Sequence, residues 1–325
     1  MRTVSIVSSV LMLGALAVTG PVLAQQFPVK PVRLIVPFAP GGPNDILGRL
    51  VAQKLTEQWG QQVLVENRGG AGGTIGLEAA LRAPRDGYTL AMGGTSNLTV
   101  APSLYEKLGY NTLKDVTPII NVAVVPYALA VNPTVPAKTA RDLVVIAGRK
   151  AGYLSYGSSG VGSMSSLAAE LFKSLSKTQI VHVPYKGTAP ALTDVVSGQI
   201  DLMFADLALV KPHAERGRLR AIGVTGPKRS PSAKELPTIA ESGLPEYDIE
   251  PWFGVVTAEG VPSAVVSRIN ASIGLALKSP DVLQRLAALG YEPLGGTPEQ
   301  FAATIRADLA KYAAVVKAAG IKAEQ

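Results

Sequence analysis

Two apolar runs are too long for one ordinary strand, and each is broken by a proline. Val122–Val131 reads VAVVPYALAV around Pro126, and Tyr247–Val256 reads YDIEPWFGVV around Pro251. Proline has no N–H to give to a ladder, so it is out of place in a central strand. It suits a chain that leaves one sheet and enters another. Two such passages imply two lobes, with the outer parts of the chain sharing one of them. The expected division is 25–126 with 247–325 as a discontinuous α/β lobe, and 127–246 as the second α/β lobe. A chain of 325 residues is long enough for two cores.

Elsewhere, short β-rich runs alternate with helical patterns. Strands are expected at Val32–Phe38, Val63–Glu66, Tyr88–Met92, Tyr153–Tyr156, Ile180–Val183, Ile200–Phe204, Leu219–Val224 and Phe253–Val256, besides the broken run Val122–Val131. Leu47, Leu50, Val51 and Leu55 share one helical face. So do Leu167, Leu171 and Leu175, and so do Phe301, Ile305, Leu309, Tyr312 and Val316. This alternation predicts an α/β fold with mainly parallel sheets.

The first residues read as an export signal. Arg2 is the only charge before Lys30, Val4 to Val18 is almost wholly apolar or small, and Val22-Leu23-Ala24 offers a small-x-small cleavage site. The apolar core falls short of the ~20 residues of a spanning helix. Residues 1–24 are therefore expected to be a cleaved signal peptide, and the mature chain to be periplasmic and not membrane-embedded. The chain has no cysteine, which removes disulfides, thiol catalysis and a lipoprotein anchor. Its net charge is +7, but the Lys and Arg residues are scattered and no basic run alternates with aromatics. Nucleic acid is not an expected partner.

Four strand-to-helix junctions are small, polar and rich in backbone N–H. They are Pro40-Gly41-Gly42-Pro43-Asn44-Asp45, Asn67 to Thr74, Gly93 to Asn97, and Gly157 to Ser163. Ligands of open α/β sheets sit at the carboxyl ends of strands, where helix N-termini offer free donors and a positive dipole end. Two further candidates follow strands: Lys186-Gly187 in VPYKGT, to supply charge to a carboxylate, and Asp206, to accept from a ligand amine or hydroxyl or to cap its helix. Asp45 is expected to cap its helix or orient its loop, since a carboxylate facing an anion would repel it.

Signs of catalysis or a cofactor are weak. Gly160-Val161-Gly162-Ser163-Met164-Ser165 ends in Ser where a dinucleotide fingerprint ends in Gly, and no Gly-Lys pair exists for a phosphate loop. The two histidines, His182 and His213, stand in no zinc motif, and no G-x-S-x-G elbow occurs. No catalytic residue, metal or cofactor is expected. The rival readings are a secreted serine hydrolase of small esters or amides, using Ser159 or Ser163 with a histidine, and a dinucleotide enzyme.

VPFAPGGPND, VENRGGAGGTIG, DGYTL, YGSSGVGS, HVPYKGTAPAL, GQIDLMF, LRAIGVTGPKR and LPTIAESGL follow one another in this order. Together they resemble the Bug family of extracytoplasmic solute receptors, the substrate-binding components of tripartite tricarboxylate transporters. The resemblance covers nearly the whole chain after the signal. It implies a type II periplasmic binding protein fold, two α/β lobes closing on a ligand cleft. It implies a small carboxylate ligand: a di- or tricarboxylate, an acidic amino acid or an aromatic acid. The groups it nominates are Gly41, Gly42, Pro43, Asn44, Thr74, Thr95, Ser96, Ser158, Ser159, Gly160, Ser163, Lys186 and Gly187. The implied partners are the transporter's membrane subunits, and the receptor itself is expected to be a monomer.

Overall fold

The computed structural model describes residues 27–320. The signal expected over 1–24 lies outside the described residues. In chain order the elements are β1 (Val32–Val36), α1 (Pro43–Trp59), β2 (Val63–Asn67), α2 (Thr74–Leu81), β3 (Thr89–Gly94), α3 (Ala101–Leu104), α4 (Thr112–Asp115), β4 (Val116–Val124), β5 (Tyr127–Val131), α5 (Ala140–Arg149), β6 (Ser155–Ser158), α6 (Met164–Ser176), β7 (Val181–Pro184), α7 (Thr188–Ser197), β8 (Leu202–Asp206), α8 (Leu207–Glu215), β9 (Arg220–Val224), β10 (Trp252–Ala258), α9 (Ser263–Ala276), α10 (Pro280–Leu289), β11 (Glu292–Gly295) and α11 (Pro298–Ala319). A short 3-10 turn, Ala71–Gly73, precedes α2, and a π-helical turn, Ser96–Val100, leads from β3 into α3.

These strands make two sheets, ordered β11-β4-β10-β3-β1-β2 and β7-β6-β8-β5-β9. β4 ends in the first sheet and β5 begins in the second, with only Val125 and Pro126 between them. The chain returns beside this crossing. Ile249 N–H still donates to Thr225 at 2.9 Å, Pro251 O accepts from Val125 N–H at 2.9 Å, and β10 starts at Trp252. The two prolines thus stand at the two crossings.

The sheets are mixed, not mainly parallel. β1 pairs parallel with β2 and β3, and β6 with β7 and β8. β10 is antiparallel to β3 and β4, β11 to β4, and β5 to β8 and β9. The reason lies in the crossings. An outgoing strand and the strand that returns beside it must run in opposite directions. β4 also starts earlier than expected; Pro118 fits because it faces Val256 next to a register shift, where a ladder bond is already lost. The strand expected at Tyr153 begins at Ser155 instead, since Gly152 turns with φ +68° and Tyr153 is exposed.

Helices pack by the faces read from their periodicity. Leu47, Leu50, Val51 and Leu55 of α1 are buried, as are Phe301, Ile305, Tyr312 and Val316 of α11. Each such side chain contributes roughly 1.5–3 kcal/mol on burial. One apolar cluster includes residues of both sheets, from Val32 and Leu34 to Leu129, Phe172 and Phe204. α11 packs against α6, and Tyr247 Oη donates to Ala168 O at 2.9 Å. Among the described residues no helix is long and apolar enough to cross a membrane.

Candidate functional site

A cavity of about 20 Å³ lies between strand ends of the two sheets. Its walls include the loop Phe38-Ala39, the starts of α1 (Gly42, Pro43, Asn44), α6 (Ser163, Met164) and α7 (Gly187, Thr188), and Ser96 at the head of the π-helical turn. Ser159, Tyr127 and Phe253 complete it. Three helix N-termini therefore converge on one space, and among the described residues no charged side chain lines it. Each N-terminus carries unpaired N–H groups and about half a positive charge. The arrangement suits an anion, while Phe38, Tyr127, Met164 and Phe253 give it an apolar side.

Asn44 is 3% exposed, and its Oδ1 is buried with no partner among the described residues. Its amide belongs to the cavity wall and is the polar side chain there most in need of one. Pro43 at the first helical position costs nothing, because its missing N–H would have been an orphan. Gly42 takes the N-cap place without any side-chain cap, which leaves the helix end to whatever occupies the cavity.

Asp45 sits behind this wall. Its Oδ2 accepts from Gly41 N–H at 3.1 Å and Arg49 Nε at 2.9 Å, and its Oδ1 from Asn67 Nδ2 at 3.0 Å. Burial would raise its carboxyl, but the hydrogen bonds from Arg49, Asn67 and Gly41 outweigh it and hold the group below its ordinary value. Asp45 thus orients the loop, through Gly41, and does not cap the helix.

Of the residues nominated from sequence, Gly42, Pro43, Asn44, Ser96, Ser159, Ser163 and Gly187 line the cavity. The others stand outside that lining. The Gly41 N–H is spent on Asp45. The Thr74 hydroxyl donates to Ala71 O at 2.9 Å. Thr95 is fully buried, accepting from Trp252 N–H at 3.0 Å and donating to Trp252 O at 3.3 Å, so it pins the returning strand. Gly160 N–H donates to Ser158 Oγ at 3.1 Å, which itself sits 2.7 Å from His182 Nε2. Lys186 is exposed and outside the lining. Asp206 is fully buried, and its carboxylate accepts from Ala208 N–H and Tyr291 Oη. A carboxylate with both oxygens so engaged caps α8 and does not face the cavity.

The serine–histidine contact falls on Ser158, not on Ser159 or Ser163. Ser159 Oγ and Ser163 Oγ both bond to Ser165 Oγ, at 3.0 and 2.9 Å, and Ser163 caps α6. Ser158 is wholly buried and holds its own turn. The His182 ring is stacked on Tyr156 at 4.5 Å.

Tyr127, Phe253, Met164 and Thr188 were missed, with Phe38 and Ala39 as side chains of the first junction. Tyr127 and Phe253 each follow a crossing proline by one or two residues, a signal available in the sequence. Opposed loops touch at glycines. A Cβ on Gly187 would meet Ala39 Cβ at 3.0 Å, and one on Gly72, where φ is +62°, would meet Gly162 C at 2.9 Å. Tyr105 Oη reaches Val161 O at 3.3 Å. Loops at the strand ends of the two sheets are therefore in contact beside the cavity.

A family model described as "Tripartite tricarboxylate transporter family receptor" matches residues 47–321. The chain is 34% identical to protein BugT of Bordetella pertussis, over 94% of either chain. Among solved structures, Rpa4515 of R. palustris with adipate has a TM-score of 0.87 and 37% identity, covering 91% of this chain and 99% of the other. MatC from Rhodopseudomonas palustris with bound malate has a TM-score of 0.85 and 31% identity, covering 89% and 100%.

Proposed function

Because the chain belongs to the tripartite tricarboxylate transporter receptor family, with Bug proteins as its relatives, we propose that it captures a small carboxylate in the periplasm and delivers it to membrane subunits of such a transporter. The observation that carries this reading is the convergence of α1, α6 and α7 N-termini on a cavity lined, among the described residues, by no charged side chain. Neutral donors bind a carboxylate without a buried ion pair, whose desolvation is costly. The Gly42 and Asn44 end of α1, Ser96, Ser159, Ser163 and the Gly187–Thr188 start of α7 take the carboxylate. Phe38, Tyr127, Met164 and Phe253 cover its carbon skeleton. The chain performs no covalent step and acts as a monomer.

Capture works by closure of a lobe made of 25–126 and 247–325 onto one made of 127–246. About 20 Å³ of space holds roughly one water, far less than a four- or six-carbon diacid. Entry therefore needs the jaws to part, and a ligand gripped from both lobes favours a closed state wider than this one. The structures with adipate and with malate support acids of that size as first choices.

Calorimetry of the mature protein against adipate, malate, acidic amino acids and aromatic acids tests the proposal. Saturable binding of at least one carboxylate, with none for its amide analogue, is the expected result. A folded protein that binds no member of the panel would refute it.

A further inference from the structure

Asp206 ends β8 directly beside the outgoing crossing. It pairs in register with Tyr127, the first residue of β5, and the next residue, Leu207, donates its N–H to Pro126 O at 2.8 Å. Its side chain is fully buried. Oδ1 accepts from Ala208 N–H at 2.9 Å, and Oδ2 accepts from Tyr291 Oη. Among the described residues no lysine or arginine is paired with it. Tyr291 comes from the other lobe, between α10 and β11, and is 3% exposed. The bond therefore spans the two lobes at the hinge, on the register partner of Tyr127, which lines the ligand cavity.

A buried carboxylate without a cation is costly, and protonation relieves the cost. We infer that Asp206 and Tyr291 form a proton-linked latch between the lobes, so that closing the cleft takes up one proton. Both are positioning residues: they act on the ligand site through Tyr127 and the crossing. The inference rests on the reading of the cleft as one that opens and closes, and goes beyond it by coupling closure to pH.

The groups facing Asp206 are Tyr291, Tyr127 and its own helix N–H at Ala208. Burial drives the carboxyl up to about 7, against the hydrogen bonds from Tyr291 and Ala208, which pull it down. In an open cleft reached by water the group returns toward its ordinary value of 3.8. Between these values the closed form holds more protons than the open one. Closure is then favoured as pH falls through about 7 and lost as pH rises above it. With one proton, the closed-to-open ratio changes about tenfold between pH 8 and pH 6.

Glu250, on the returning crossing, is the nearest rival. Burial, followed by Asp248 and Glu292, raises its carboxyl, and Lys311 opposes this. Variants separate the two groups. Lobe separation is measured at pH 6 and pH 8 on ligand-free mature protein, by small-angle scattering or by a distance label across the jaws. The wild type is expected to be more closed at pH 6. Asp206→Asn, which keeps the shape and removes the charge, is expected to be closed at both values. Tyr291→Phe removes the cross-lobe bond together with a donor that pulls the carboxyl down, so it is expected to be more open than the wild type at pH 8 and to keep a pH response whose midpoint has moved upward. A wild type indifferent to pH, a wild-type response preserved in Asp206→Asn, or a Tyr291→Phe protein as closed as the wild type at pH 8 overturns the latch. Adding adipate or malate to the same samples tests the carboxylate reading separately, because the latch is judged without ligand.

Discussion

A carboxylate at position 45, one residue into the cavity wall, would repel an anion if its oxygens were free. They are not: Gly41, Arg49 and Asn67 take them. Asp45→Asn is therefore expected to cost stability, about 1–3 kcal/mol, more than it costs affinity, as thermal melts beside calorimetry would reveal. The pH sign follows from the lowered carboxyl. The native state binds fewer protons than the unfolded chain near the ordinary value, so this contribution is present above it and is lost as pH falls through the lowered folded-state value. An acid transition unchanged in Asp45→Asn contradicts this. Asn44→Asp makes the complementary case. A negative charge at the second helical residue suits the dipole, so the fold is expected to persist. Affinity for adipate or malate is expected to fall at least about tenfold, on the order of 1.4 kcal/mol, because that charge meets the ligand's own. Undiminished binding would remove Asn44 from the site.

Among the elements, the helix starts are what the sequence displayed best. Glycine with small polar residues after a strand marked the heads of α1, α6 and α7, and all three meet at the cavity. What stayed hidden was which groups were already spent. Thr74, Thr95 and Ser158 look like free hydroxyls in sequence, yet their partners, Ala71, Trp252 and Gly160, include one that is 157 positions away. Long-range pairing of this kind leaves no local trace. The antiparallel strands were hidden for the same reason, since alternation of strand and helix reports the parallel units alone. The jaw contacts lead to a further expectation. Gly72→Ala puts a Cβ 2.9 Å from Gly162 C and 3.1 Å from Val161 O, both backbone atoms of the opposed loop. Only the closed form suffers that clash, whereas the strain at φ +62°, about 1 kcal/mol, is common to both. Affinity should drop more than stability does. Equal losses would mean that the loops do not meet in the bound state.

For the molecule as a whole, two sheets do not mean two independent units. One apolar cluster draws on both, and α11 packs against α6. A single cooperative unfolding transition is expected, with calorimetric and van't Hoff enthalpies equal. Two resolved transitions would show that the shared cluster does not couple the lobes. The proline-broken runs foretold where the chain crosses, because proline is a backbone property and needs no partner to be read. The close pairing of the two crossings, Val125 with Pro251, needed the fold. At that pairing stands Trp252, its indole N–H held by Asp308 at 2.5 Å and its ring edge-on to Phe301 at 5.2 Å. The chain has one other tryptophan, Trp59, which bonds Ser272 on α9 at 2.9 Å, within the first lobe. Trp252 thus stands as an optical reporter at the two crossings. With Trp59→Phe, the remaining indole emission comes from Trp252 alone. Ligand capture should then be visible as a change in its colour and intensity, without any attached dye.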